Sequence, residues 1–389
     1  MNKTYKIYLI AGEPSGDALG ARFMRAMKKK LGDEVEFFGL GGENMEKEGL
    51  KSLFDISDLA IMGLIEVIPS IPKVLRRIRE TVADIKKVDP DVVITIDSWS
   101  FASRVQQVLR KQKLNILQVH YVAPQVWAWK KKRARTMYKY VDHLLTLLPQ
   151  EPQYFIPYGL PSTFVGHPVI ESPAAKGDGL SFRHKYKIDD NKNIICVLPG
   201  SRHNEVARLL PIFIASCKLL KAEEKDLFFV IPAVKTVVKE IRKIVSDCGV
   251  EFLIVEESDD RHNAMCTAKA AIAASGTVAL ELAITGTPHI IAYRLSPLTA
   301  FLAKRLLKIK FVNLSNILLN RELVPELLLE NCNPQNIAAH IKNYLHDEKA
   351  VDKQKKGFEE VKSILGFSSQ TPSDNACDVV LKLINEKSS

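Results

Sequence analysis

Two short stretches carry the residue types of a phosphate site: Leu198-Pro-Gly-Ser-Arg-His-Asn-Glu205 and Ala274-Ser-Gly-Thr-Val-Ala-Leu-Glu281. Each sets small residues and a hydroxyl between an apolar run and a helical pattern, where backbone N–H groups and the positive helix end can hold an anion. Ser201, Ser275, Gly276 and Thr277 are the candidate phosphate contacts. Arg202 supplies a fixed cation for a diphosphate, and Glu281 a carboxylate that accepts from ribose hydroxyls. Read together, the two loops describe one nucleotide site, as a nucleotide-sugar enzyme would be built.

A third turn, Ala11-Gly-Glu-Pro-Ser-Gly-Asp17, follows an apolar run and precedes a helical pattern. Gly12 and Gly16 permit close backbone approach, and Ser15 or Asp17 can cap the helix. A binding loop and a merely tight strand–helix turn share these residues, and the dinucleotide fingerprint is absent. Asp97 follows Val92-Val-Ile-Thr-Ile96, at the end of a strand where ligands bind. Burial near Trp99 and Phe101 would raise its pKa toward that of a general base, while helix N-capping is the plainer alternative.

His120-Tyr-Val-Ala-Pro-Gln-Val-Trp-Ala-Trp129 runs into Lys130-Lys-Lys-Arg-Ala-Arg135. Its Gln125 and Trp127 are candidate sugar or acyl contacts, and a packed loop beside a solvated basic helix reads equally well. Asp89-Pro-Asp91 has a metal-binding spacing but precedes its strand, so it reads as a turn. With no paired-histidine motif either, the chain gives no sign of a metal or other cofactor.

These residues need elements to hold them. Strand-like runs are expected at 5–10, 35–39, 92–96, 115–119 and 144–147, and again at 194–198, 227–231, 251–255, 270–274 and 289–292. Helical patterns alternate with them, which implies two parallel-sheet α/β units with a ligand cleft between them. Residues 166–179, with three Gly and two Pro, are the expected linker. The predicted divisions are 1–168, 169–340 and a tail, 341–389, whose helical patterns would pack back across the boundary.

At 389 residues and 46% apolar, the chain is a folded multidomain protein. Its six cysteines are scattered with no C-x-x-C pair, which favours a reducing cytosol. The apolar run 7–11 is too short for a signal-peptide core, and no run approaches the 18 residues of a membrane span. The net charge of +10 gathers at 28–30, 73–79, 130–135 and 304–310. That calls for an anionic partner, and without a nucleic-acid-binding signature a membrane surface or phosphorylated lipid fits better than a nucleic acid. Leu64, Ile68, Ile71, Leu75, Ile78 and Val82 repeat at helical spacing, interleaved with Lys73, Arg76, Arg77 and Arg79. A helix starting near Ser70 could lie in a membrane interface or face a core or partner; the membrane contacts would be Leu64, Ile68, Ile71, Leu75, Arg76, Ile78 and Arg79.

With these motifs in hand, the chain resembles the lipid-A-disaccharide synthases, inverting glycosyltransferases of the GT-B, two-Rossmann-domain type. The resemblance rests on the 12–17 turn, Val126-Trp-Ala-Trp129, Gly166-His-Pro168, the 198–206 and 274–281 segments, and 316–328 with Arg321-Glu-Leu. It implies transfer of 2,3-diacylglucosamine from its UDP donor to the 6-hydroxyl of 2,3-diacylglucosamine 1-phosphate, without a metal. By the same resemblance Asp97 is the base and Arg202 stabilises the departing diphosphate. Gly12, Ser15, Gly16, Asp17, Gln125, Trp127, Ser201, Glu205, Ser275, Gly276, Thr277 and Glu281 contact substrate, and Asn316 and Arg321 lie near the nucleotide.

The first division would then be the acceptor and membrane side and the second the donor side, with the protein peripheral on the inner face of the cytoplasmic membrane. Its oligomeric state stays open, a homo-oligomer included. The chain departs from the family pattern at Asp97-Ser-Trp-Ser-Phe101, where a small residue, Pro and an acidic residue are usual, and at Ser315, where Pro is usual. The rival expectations are a different GT-B enzyme, such as a UDP-sugar epimerase or a transferase with another lipid acceptor, and a non-catalytic nucleotide-sugar-binding protein at the membrane.

Overall fold

A computed structural model describes residues 4–59, 67–126, 131–295, 310–366 and 370–388. The chain forms two compact units, residues 1–168 with 368–389 and residues 169–367. Each is built on one six-stranded sheet.

In the first unit the strands are β1 (Tyr5–Ala11), β2 (Val35–Leu40), β3 (Val92–Ile96), β4 (Leu117–Tyr121), β5 (His143–Thr146) and β6 (Ser162–Phe164). They lie in the order β2-β1-β3-β4-β5-β6, every pairing parallel. Because successive side chains point to opposite faces, β1 feeds two cores at once. Ile7, Leu9 and Ala11 pack with Phe23, Met24 and Met27 of helix Pro14–Leu31 and with Cys377, Val380 and Ile384 of helix Pro372–Ser388. Tyr8 and Ile10 pack on the other face with Ile78, Val82 and Ile85 of helix Val67–Val88 and with Phe101, Val105 and Leu109 of helix Trp99–Lys111.

In the second unit β7 (Asn193–Leu198), β8 (Leu227–Pro232), β9 (Phe252–Val255), β10 (Ala270–Ala273), β11 (His289–Tyr293) and β12 (Glu326–Leu328) take the order β12-β11-β10-β7-β8-β9, again all parallel. Gln354, on helix Glu348–Ile364, fastens β11: its side-chain oxygen accepts from the His289 N–H at 2.7 Å and its amide donates to the His289 carbonyl at 3.0 Å.

Two features differ from the sequence reading. The edge strands β6 and β12 are short and half-buried, without the apolar run that marks the others. Helix Val67–Val88 begins before Ser70, with Pro69 in its first turn, where a missing N–H leaves no bond unmade, and Pro72 inside. In the tail, 341–366 belongs to the second unit and 370–388 to the first, where the Asn375 amide donates to the Val165 carbonyl at 3.0 Å.

Candidate functional site

In the first unit the strand order reverses beside β1, whose chain successor β2 lies on one side and β3 on the other. The loops leaving β1 and β3 therefore part and open a crevice at the carboxyl end of the sheet, where such sheets bind ligands. Ala11 is in register with Ile96, so Gly12 and Asp97 emerge side by side. Gly12 is required by this closeness, since a Cβ there would lie 2.6 Å from Ser98 Oγ.

Asp97 and Ser98 both hold left-handed backbone, φ 51° and 40°, at a cost of roughly 1 kcal/mol each. The Asp97 N–H still donates to the Tyr121 carbonyl at 2.9 Å, extending the ladder one residue past β3 before the chain turns. Burial pushes the Asp97 carboxyl above its ordinary 3.8, while the nearby Ser98 N–H and Ser15 hydroxyl pull it partly back. Helix N-capping does not explain Asp97, because Ser98 occupies that position. Glu13 flanks it, its own carboxyl raised by burial and by the Asp97 charge.

Asp17 has another task. It is buried and accepts from the N–H groups of Gly42 (2.8 Å), Asn44 (3.0 Å) and Met45 (3.0 Å) and from the Asn44 side chain (2.8 Å). Its carboxylate is engaged in holding the start of helix Glu43–Lys47, and it does not cap its own helix.

At the end of β4, Val122 takes φ 84°, an outlier for a β-branched residue. His120 is buried with Nδ1 2.7 Å from Thr95 Oγ1. Burial pushes its pKa down to about 3, so it is neutral at physiological pH and no rival to Asp97. The Trp99 ring meets the His120 ring edge-on at 5.2 Å, with the Arg133 guanidinium 5.9 Å from its centroid. Gln125 is exposed. Trp127 and Leu64, with the side chains of Ile68 and Ile71, lie outside the described residues.

In the second unit the order reverses between β7 and β10, and Leu198 is in register with Ala273. The loops that follow, 199–202 and 274–277, thus flank one crevice, a cavity of about 400 Å³ lined by Ser201, Arg202, Glu205, Ser275, Gly276, Thr277 and Glu281. Residues far apart in sequence are brought together here. Gly276 faces open space, leaving its backbone open to a ligand. Glu281 lies in the first turn of helix Val278–Thr285, with buried His262 Nε2 3.9 Å from its carboxylate.

Arg261 also lines this cavity and a neighbouring one of about 720 Å³ at the ends of β8 and β9. Its Nε is buried with no hydrogen-bond partner among the described residues. No motif marks Arg261; the only signal was a cation in the first helix after a strand.

Asn316 and Arg321 are not among the residues that line the cavity. Asn316 is fully buried: its side-chain oxygen accepts from the N–H groups of Leu323 and Val324, and its amide donates to the Val324 carbonyl and to Glu326. Arg321 pairs with Glu360 at 2.8 Å on an exposed face.

The basic amphipathic helix divides likewise. Leu75 is 45% exposed, with Arg76 and Arg79 also exposed, whereas Ile78 is 4% exposed within the core. Ile78 therefore packs inward instead of contacting a membrane, because the shared apolar stripe wraps past the edge of the buried face. Among the described residues no helix is long and apolar enough to cross a membrane.

The family model described as lipid-A-disaccharide synthetase matches residues 7–380. The lipid-A-disaccharide synthase of Paramagnetospirillum magneticum is 45% identical over 98% of this chain and 98% of its own. That of Rhodospirillum centenum is 44% identical over 99% and 96%. Among solved structures, the glycotransferase of kitacinnamycin shares the fold at 12% identity, with a TM-score of 0.65 over 98% of this chain and 99% of that one. The chain belongs to the lipid-A-disaccharide synthase family and has the GT-B architecture.

Proposed function

We propose that the chain, as a member of that family, transfers 2,3-diacylglucosamine from its UDP donor to the 6-hydroxyl of 2,3-diacylglucosamine 1-phosphate, forming the β-linked disaccharide 1-phosphate and UDP. The observation that carries the donor half is the pairing of loops 199–202 and 274–277 around one crevice, with Arg202 and Glu281 on its wall. There the loop 275–277 and Arg202 hold the diphosphate, and Glu281 accepts from the ribose hydroxyls. Arg261 adds a second cation, and the adjoining cavity at the ends of β8 and β9 has room for the base.

The first unit supplies the base. The acceptor oxygen attacks the anomeric carbon as its proton passes to Asp97, and the bond from that carbon to the diphosphate oxygen breaks, leaving UDP. An in-line displacement of this kind inverts the anomeric centre. General-base help is worth roughly 10² to 10⁴ in rate. Fixed positive charge at the diphosphate stabilises the negative charge that grows on it.

Lipid substrates require access to a membrane. Exposed Leu75, Arg76 and Arg79 support a peripheral contact with the anionic inner leaflet of the cytoplasmic membrane, each cation contributing about 1 kcal/mol near the surface. Calorimetry with UDP tests the donor site: Arg202→Ala should weaken binding by roughly 10- to 100-fold. Unchanged affinity would remove Arg202 from the site.

A further inference from the structure

The second unit's phosphate loop is already occupied by an anion of the chain itself. Glu205 sits at the third position of helix His203–Glu223, its side chain only 12% exposed. Its carboxylate accepts from the Ser201 N–H at 3.3 Å, from Arg202 Nη1 at 2.8 Å and from the Tyr293 hydroxyl at 3.3 Å. A carboxylate in the first turn of a helix is also favoured by the positive helix end. The loop is fitted closely to it: Gly200 has φ 112°, and a Cβ there would lie 2.5 Å from Glu205 Oε2.

Two of those three donors, the Ser201 N–H and the Arg202 guanidinium, are the ones the donor diphosphate would take. An ionised carboxylate and a diphosphate are both acceptors and carry charge of the same sign, so neither can hydrogen-bond to the other. They compete for the Ser201 N–H and for the Arg202 Nη1 that Glu205 now holds. Arg202 has a side chain 78% exposed, and Glu205 is its one ion-pair partner among the described residues.

We propose that Glu205 is the positioning residue of the donor site: it holds Arg202 and the Ser201 N–H ready in the unliganded protein, yields them to the diphosphate, and takes them back as UDP leaves. Tyr293, on β11, keeps its hydrogen bond to Glu205 through the exchange. Glu205 thereby limits UDP affinity and speeds product release. This inference rests on the donor reading of the loop given above.

The test is calorimetry with UDP on the full-length wild type, Glu205→Gln and Arg202→Ala, together with steady-state kcat and donor KM. Glutamine keeps an oxygen for the Ser201 N–H, so that contact survives while the competing charge is removed. The exchange predicts UDP bound roughly five- to tenfold more tightly by Glu205→Gln, with donor KM and kcat both lowered. A purely structural role for Glu205 would not produce that result. Should this variant fail to fold, Glu205→Ala, which also removes the charge, must show the same tightening. Glu205 variants with unchanged or weakened UDP affinity, alongside a weakened Arg202→Ala, would overturn the exchange and leave the donor site standing. Wild-type affinity in Arg202→Ala would overturn the donor reading itself.

Discussion

Ser15, in the first turn of the helix that follows β1, lies close enough to Asp97 at the end of β3 for its hydroxyl to lower the Asp97 carboxyl pKa against the effect of burial. The two residues belong to the two loops that part at the first sheet's switch point, and the hydroxyl dipole favours the ionised form of the carboxyl. Ser15→Ala should therefore raise the Asp97 pKa further and move the acid limb of kcat/KM to higher pH. Above that limb kcat should not fall, since a less stabilised carboxylate is the stronger base. A pH–rate profile that does not move would separate Ser15 from the base.

Asp97 is held at the expense of stability. Its folded pKa lies above 3.8, so its contribution to stability is fully present below the unfolded pKa and is lost as pH rises through the folded one. Asn carries no charge and tolerates left-handed backbone. Asp97→Asn should melt no lower than wild type at pH 7, and any advantage should shrink as the pH falls toward 4. Thermal melts over pH 4 to 8 check this; a clear loss of stability at pH 7 would mean that the ionised carboxylate supports the fold.

Leu75 and Ile78 are one turn apart and should respond oppositely. Leu75→Ser, at an exposed site, should reduce sedimentation with anionic vesicles and leave the melting temperature in place. Ile78→Ser should destabilise by about 2 to 4 kcal/mol, because it leaves a cavity and an unpaired hydroxyl against Val82 and Ile85. Full vesicle binding by Leu75→Ser would return the helix to a core or partner role.

Asn316 predicts a split of the same kind. Asn316→Ala leaves the buried N–H groups of Leu323 and Val324 without their present acceptor, at about 1 to 3 kcal/mol each. Denaturant unfolding should show a loss of that order, with near-normal UDP affinity in the folded protein. Selective loss of UDP affinity without destabilisation would make Asn316 a ligand contact.

These contrasts mark how far the sequence could be read. Apolar runs such as Val92–Ile96 and Ile194–Leu198 declare buried parallel strands, because both of their faces must be apolar. The loops after them fall at the ends of their sheets for the same reason, so Asp97 and Arg202 could be picked out by position. What a linear pattern does not encode is where a side chain spends its hydrogen bonds. Asp17 and Asn316 have the residue types of ligand contacts and are consumed in holding turns. Leu75 and Ile78 belong to one helical stripe, and only packing decides which of them is covered. Arg261 reaches the cavity from a helix without a motif, and the left-handed backbone of Asp97, Ser98 and Val122 follows from tertiary closure of the strand ends.

The most direct measurement is a mass-spectrometric assay of the full-length protein with UDP-2,3-diacylglucosamine and 2,3-diacylglucosamine 1-phosphate, in EDTA, with Asp97→Asn alongside. The wild type should yield the disaccharide 1-phosphate and UDP in equal amounts, and Asp97→Asn should be slower by roughly 10² to 10⁴ at unchanged UDP affinity. UDP released without disaccharide, or an Asp97→Asn enzyme as fast as wild type, would contradict the assignment.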